Sequence, residues 1–336
     1  MTRRNRLTPS VADVRRAVRE SFERHEVASG ELVLVACSGG PDSMALAAGL
    51  AFEGPKLGLR IGAVIVDHGI QEITATISLE TKTQLETLGF DPVQIVRVNV
   101  GSEGGLEAAA RSARYEAIDE VAAELDAKYV LLGHTRDDQA ETVLLGLARG
   151  SGARSLSGMA ELTGRYLRPM LGITREVTVQ ACEDADLRVW LDPHNSDQRF
   201  ARVRVREQVL PVLEENLGPG IAEALARTAD QLREDDEVLD HLAEHTYQEV
   251  IKTGPTSLTA NVAALAELKP AIRYRVIRLA GTTLGGHFHR SHVLEIDRLV
   301  TNWHGQKPLA MPSVRVERTG ENIVFKSTKT LKPGAC

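Results

Sequence analysis

The sequence predicts an α/β protein: a doubly wound parallel sheet with a second, mostly helical domain following it. Three observations carry that prediction. From Glu31 onward, short apolar runs rich in Val, Ile and Leu alternate with longer segments of helical period. The first run, Leu32–Ala36, passes through Cys37 into the turn Ser38-Gly39-Gly40-Pro41-Asp42-Ser43 and then a helix-prone stretch. Chemically rich turns also follow other strand candidates, at Asp67–Gly69 and Gly133–Asp138. Open parallel sheets bind ligands beyond the carboxyl ends of their strands.

Taken in order, Val11, Val14, Val18 and Phe22 fall at helical spacing and predict an amphipathic helix before the first strand. A helix over Met44–Phe52 follows the Gly-rich turn. Strands are expected at Arg60–Asp67, Val93–Val100 and Lys128–Gly133, with helices at Thr74–Leu88, Gly105–Leu125 and Asp137–Leu147. Strands separated by helices of this length imply right-handed βαβ units. A helix over Val203–Glu215 leads to the hinge-like Asn216-Leu217-Gly218-Pro219-Gly220, which puts the domain boundary between residues 215 and 216. Beyond it, helical patterns cover Ile221–Ile251, Val262–Leu268, Ala271–Leu284 and His292–Asn302. Two short strands, Ser313–Glu317 and Asn322–Lys326, form a small hairpin around Thr319-Gly320. The acidic run Glu234-Asp235-Asp236-Glu237 reads as a solvated helix face.

The 336 residues suffice for two cores. With 40 basic and 46 acidic residues the net charge is −6, so any nucleic-acid contact has to come from a local basic patch. Three scattered cysteines with no CxxC give neither a zinc nor an iron–sulfur signature and suit a reducing cytosol. The basic start Met1–Arg6 lacks the apolar core of a signal peptide, and no apolar run reaches transmembrane length, so no membrane partner is expected.

Gly39 and Gly40 let backbone amides turn inward, and with Ser38, Ser43 and the first helical amides they form a ring of donors suited to phosphate. No Gly-Lys-Ser/Thr follows, so this is not a Walker A loop. Asp42 beside phosphates makes sense only with a bridging cation, most simply Mg²⁺. In Gly133–Thr142, Glu141 lies four residues from Asp137 and three from Asp138, so the carboxylates can share a helix face near the positive dipole end. They suit metal or general-base work, with simple helix capping as the bland alternative. Arg111 and Arg114, three apart on a helix, could steady phosphate charge, although Arg111 could instead pair with Glu107. Arg199, Arg202, Arg204 and Arg206 form the densest basic patch, without a clean helical face; phosphate contact and salt bridging to the acidic second domain both fit it.

Ser38–Ser43 resembles the pyrophosphate loop of the N-type ATP pyrophosphatases. Together with Val66–Gly69, Glu107–Tyr115 and Gly133–Thr142, it makes the chain similar to the tRNA(Ile)-lysidine synthetases within that superfamily. Arg149–Gly152 running to Met159, Arg168–Leu171, and Asp192–Asp197 with the trailing arginines fit that family in particular. Ile70-Gln71, Thr135 and Val203 depart from its usual pattern. The resemblance covers residues 31–215 well and implies an adenine nucleotide α-hydrolase-like fold, with the second domain in the family's shorter form.

The same resemblance implies a ligase that joins free L-lysine to C2 of the wobble cytidine in tRNA(Ile) with a CAU anticodon. The reaction would run through an adenylated cytidine and release AMP and pyrophosphate. ATP would lie on Ser38, Gly39, Gly40, Pro41, Asp42, Ser43, Val66, Gly133 and His134, with adenine near Val64–Val66. Mg²⁺ would sit on Asp42 and Asp138. Asp42, Arg111, Arg114, Asp137, Asp138 and Glu141 would do the chemistry, and Arg199, Arg202, Arg204 and Arg206 would contact tRNA. A cytoplasmic enzyme follows, and a homodimer is compatible with it. The alternatives are a cytidine thiolase, which the missing CxxC disfavours, NAD or GMP synthetase-like amide formation, and a non-catalytic RNA binder.

Overall fold

A computed structural model describes residues 7–67, 72–98, 106–150, 152–255 and 257–328. Helix α1 (Pro9–Arg24) precedes the alternation β1 (Leu32–Ala36), α2 (Pro41–Glu53), β2 (Arg60–Asp67), α3 (Glu72–Thr87), β3 (Val93–Arg97), α4 (Leu106–Glu124), β4 (Tyr129–Leu132) and α5 (Arg136–Arg149). A short α6 (Ala153–Leu156), the narrow strands β5 (Leu162–Thr163) and β6 (Tyr166–Leu167), and α7 (Arg175–Asp184) follow. The expected third strand ran to Val100 and the next helix began at Gly105; residues 99–105 lie outside the described set, as do His68 and Gly69.

The sheet order is β3-β2-β1-β4-β6-β5, with every pair parallel except the antiparallel edge pair β5–β6. β1 is central: Val33 pairs with Ile61 of β2 on one side and with Tyr129 of β4 on the other. Successive β1 side chains serve opposite faces. Val33 and Val35 join the α1–α2–α7 core with Val14, Val18, Leu46, Leu50 and Cys182. Leu32 and Leu34 join the core that α4 builds with Ile118, Val121 and Ala122. Each cluster is sealed, with Val33, Leu34 and Leu46 fully buried. The chain leaves β1 toward β2 and later returns on the other side as β4. A crevice therefore opens between the β1 and β4 ends, where the strand order reverses.

The predicted Val203–Glu215 helix begins earlier and is not uniform. Helix α8 (Ala201–Arg204) passes through a wide π turn, Val205–Val209, into α9 (Leu210–Leu217). Pro211 explains the interruption: it has no N–H to donate, and its ring opposes the carbonyl four residues earlier. The long α10 (Ile221–Val250) follows, and the chain separates into compact units at Arg233–Glu234, within α10 rather than at residue 215.

The second unit is less helical than expected. Its strands β7 (Ile251–Thr253), β8 (Ser257–Asn261), β9 (Leu309–Met311), β10 (Val314–Thr319) and β11 (Asn322–Ser327) form one antiparallel sheet in the order β7-β8-β11-β10-β9. The predicted hairpin is the β10–β11 pair within it. Three helices, α11 (Val262–Glu267), α12 (Pro270–Thr283) and α13 (Arg290–Thr301), contribute Leu265, Val276, Ile277, Val293 and Ile296 to a shared core with Leu258, Val316 and Phe325. The acidic run is only partly a solvated face. Glu234, Asp235 and Glu237 are exposed, but Asp236 pairs with Arg275, which also donates from Nε to Asp240 at 2.8 Å.

Candidate active site

The site forms where the N-termini of α2, α5 and α7 converge on the β1–β4 crevice. Gly39 adopts φ +80°, the left-handed region that favours glycine, and Gly40 caps α2 with Pro41 as its first residue. Ser43 Oγ donates to the Gly40 carbonyl at 2.9 Å, accepts from the Ser38 amide at 3.2 Å and lies 3.3 Å from Ser38 Oγ. The turn is thus closed on itself with both hydroxyls on one side. It is also braced from outside. The Trp190 amide donates to the Gly39 carbonyl at 2.9 Å. The Gln84 side chain holds both backbone groups of Arg188, at 2.9 and 3.0 Å.

Gly133, ending the β4 turn, presses against the start of α2. A Cβ there would lie 3.0 Å from the Asp42 carbonyl carbon and the Ser43 nitrogen. The two predicted loops therefore meet backbone to backbone. Next to Gly133, Asp138 Oδ2 accepts from the Thr135 amide at 2.8 Å and its hydroxyl at 3.0 Å, closing the first turn of α5.

Asp42, Asp138 and Glu141 come together around a residue outside the predicted set. Arg175 Nε faces Asp42 Oδ2 at 3.4 Å, its Nη2 faces Asp138 Oδ1 at 3.1 Å and its Nη1 faces Glu141 Oε1 at 3.5 Å. Its amide also donates to Asp137 Oδ2 at 2.9 Å. A signal was present in the sequence: Thr174-Arg175 reads as a helix cap followed by a cation, where the dipole favours acid. Such a cation needs carboxylate partners. Thr178, one turn on, donates to Asp42 Oδ1 at 2.5 Å.

Burial pushes the Asp42 carboxyl above its usual range; Thr178 and Arg175 pull it back, and Asp138 adds to the rise. Burial also opposes ionisation of Asp138, yet Arg175, His134 and the Thr135 donors together hold that carboxyl below the usual range. His134 is pushed down to about 4 by burial, against the pull of Asp138, with Arg168, Arg202 and Arg111 adding to the depression. Its Nδ1 is shielded and has no hydrogen-bond partner in the structure.

The basic patch divides. Arg202 and Arg206, four residues apart, both turn toward α5. Arg202 Nη2 donates to Thr142 Oγ1 at 3.1 Å, and Arg206 grips the fully buried Glu141 through Nε at 2.7 Å and Nη2 at 3.2 Å. Of the four arginines expected to contact tRNA, Arg206 pairs instead with an acid of the first unit, Glu141, and not with the acidic second domain. Arg204 and Arg199 are exposed, the latter in a forked pair with Asp197. Arg111 and Arg114 are exposed on α4, with Arg111 lying over the Tyr115 ring 5.0 Å from its centroid. The alternative Glu107–Arg111 pairing falls on a side chain outside the described set. Val66 is half-buried, but Val64 is sealed in the α4-side core and cannot line an adenine pocket.

The profile of the PP-loop domain matches residues 12–213, and that of the TilS substrate binding domain matches residues 261–321. The chain is 52% identical over 303 residues to a tRNA(Ile)-lysidine synthase of Leifsonia xyli, covering 90% of this chain and 91% of that one. It is equally identical over 322 residues to the Thermobifida fusca protein of the same name, covering 95% and 98%. Among solved structures, the Methanococcus maripaludis U34-tRNA thiolase NcsA with its [4Fe-4S] cluster superposes with a TM-score of 0.57 at 20% identity, over 67% of this chain and 80% of that one. That likeness establishes a shared fold. With both domain profiles matched and half the residues identical across nearly full length, the chain belongs to the tRNA(Ile)-lysidine synthase family.

Proposed function

We propose that this protein uses ATP to activate the wobble cytidine of tRNA(Ile) bearing a CAU anticodon and then joins free L-lysine to it. The C2 oxygen attacks the α-phosphate, giving an adenylated base and pyrophosphate. The ε-amine of lysine then attacks C2 and expels AMP, leaving lysidine. The observation that carries this reading is the meeting of the Ser38–Ser43 turn and the Asp138–Glu141 acids at one crevice, in a chain of this family.

Three helix N-termini directed at that crevice favour the phosphates, with Ser38, Ser43 and the loop amides as donors. Arg111 and Arg114 are candidates to offset charge as pyrophosphate leaves. A carboxylate among Asp137, Asp138 and Glu141 accepts the proton from the lysine amine. Asp42 and Asp138 fit a Mg²⁺ ion, because both already share one cationic partner, Arg175. Such an ion would supply charge neutralisation at the phosphates. Exposed Arg199 and Arg204 are left to contact tRNA phosphates. Among the described residues no helix is long and apolar enough to cross a membrane, which accords with work on tRNA in the cytoplasm.

The test is incubation with ATP, labelled lysine and a tRNA(Ile) transcript. Lysine incorporation that disappears when the wobble cytidine is changed is the expected result. ATP cleavage without incorporation would overturn the reading. Asp42→Ala should abolish tRNA adenylation while leaving the fold intact.

A further inference from the structure

Each of the three nitrogens of the Arg175 guanidinium faces a different carboxylate: Asp42, Asp138 and Glu141. The oxygens are partitioned in a consistent way. Asp42 Oδ1 is held by Thr178 and Asp138 Oδ2 by Thr135, so both carboxylates keep their orientation without Arg175. The oxygens turned to Arg175 are the other two, Asp42 Oδ2 and Asp138 Oδ1. Glu141, for its part, has the forked grip of Arg206. Removing Arg175 from the centre would leave two oriented carboxylate oxygens, one from α2 and one from α5, facing the same space. The Arg175 side chain is 23% exposed and rooted in the first turn of α7, where the helix dipole opposes a cation. It stays because three carboxylates face it, so a divalent cation that neutralises two of them removes much of what holds it there.

We propose that Arg175 is a built-in counter-ion that competes with the divalent cation for Asp42 Oδ2 and Asp138 Oδ1. It keeps the acid cluster neutralised in the resting enzyme and sets the threshold at which metal enters. Arg175 is a positioning residue in this scheme: it acts through the two carboxylates. The inference rests on the assignment of the metal to Asp42 and Asp138 made above.

Binding of Mn²⁺ to the nucleotide-free full-length protein, followed by the paramagnetic resonance of the free ion, tests it without reference to turnover. Arg175→Gln removes the competing charge and should tighten Mn²⁺ binding about tenfold or more. Arg175→Lys keeps one charge but loses the planar fork that reaches three carboxylates, so its affinity should fall between those of the wild type and the Gln variant. A variant with merely damaged packing would bind the ion more weakly. If either folded variant binds Mn²⁺ no more tightly than the wild type, the proposal is overturned. An Asp42→Ala/Asp138→Ala double variant of the nucleotide-free protein separates the two levels. Mn²⁺ binding unchanged from the wild type removes the metal assignment itself, whereas weakened binding there with unchanged Arg175 variants removes only the role of Arg175.

Discussion

Acidification should cost this protein stability through His134 in particular. The imidazole is held neutral by burial and by the fields of Arg168, Arg202 and Arg111, so its pKa falls from an ordinary 6.5 to about 4. A base whose folded pKa is depressed contributes stability that is fully present above its unfolded pKa. That contribution fades as pH drops from 6.5 toward 4, because the unfolded chain takes the proton first. At about 1.36 kcal/mol per pKa unit, the full effect is about 3 kcal/mol. Roughly 2.5 kcal/mol of it should be lost between about pH 7.5 and 4.5. Urea unfolding of the wild type and of His134→Gln across that interval, each also on an Asp138→Asn background that removes the neighbouring carboxylate, isolates the effect. The wild type should lose about 2–3 kcal/mol more than the variant. Parallel stability curves, or an NMR titration of His134 with a midpoint near its ordinary value, would refute the reasoning.

Gly133→Ala would push a methyl to 3.0 Å from the backbone of Asp42 and Ser43, costing about 1–3 kcal/mol and opening the phosphate turn; calorimetry should find ATP binding lost before folding fails. Gln84→Met removes both hydrogen bonds to Arg188 at nearly constant volume and should cost about 1–3 kcal/mol, raising KM for ATP more than it lowers kcat. In the second unit, the buried Arg273 donates to Asp297 at 2.6 Å; Arg273→Met strands that carboxylate and should cost about 3–5 kcal/mol, measured by thermal unfolding.

What could be read from the chain beforehand follows a physical division. The phosphate turn was legible because its requirements are local: Gly39 supplies a left-handed residue, and Gly40-Pro41 starts a helix. The doubly wound sheet was legible because Val33/Val35 and Leu32/Leu34 each need a covering layer of helices. Arg175 was not selected, since its partners lie 34 to 133 residues away and no local period marks them. The basic patch divides by helical phase: Arg202 and Arg206, four apart, share the face packed on α5, while Arg199 and Arg204 lie off it. The α5 partners sit 60 and 65 residues away, where no local period marks them. Strands β7 and β9 escape for a simpler reason. Ile251–Thr253 and Leu309–Met311 are three residues each, too short to show alternation, and become strands only through their neighbours in the sheet.

The central place of β1 has a consequence for how the chain comes into being. Its two flanking partners leave the ribosome far apart in time: β2 starts at Arg60, β4 only at Tyr129. Through the synthesis of about seventy residues, Val33–Ala36 presents one side with unpaired amides and carbonyls, next to the Gly-rich turn. A nascent chain stalled before Tyr129 holds the phosphate turn but has an open sheet edge beside it, a template for pairing with other strands. Completion of β4 closes that edge and opens a new one on its own far side, which stays unpaired until β6 arrives. The acids of α5 follow β4 in the chain, and Arg175 comes only after β6. A truncated chain long enough to fold its first three strands therefore carries the hazard while lacking Asp138, Glu141 and Arg175.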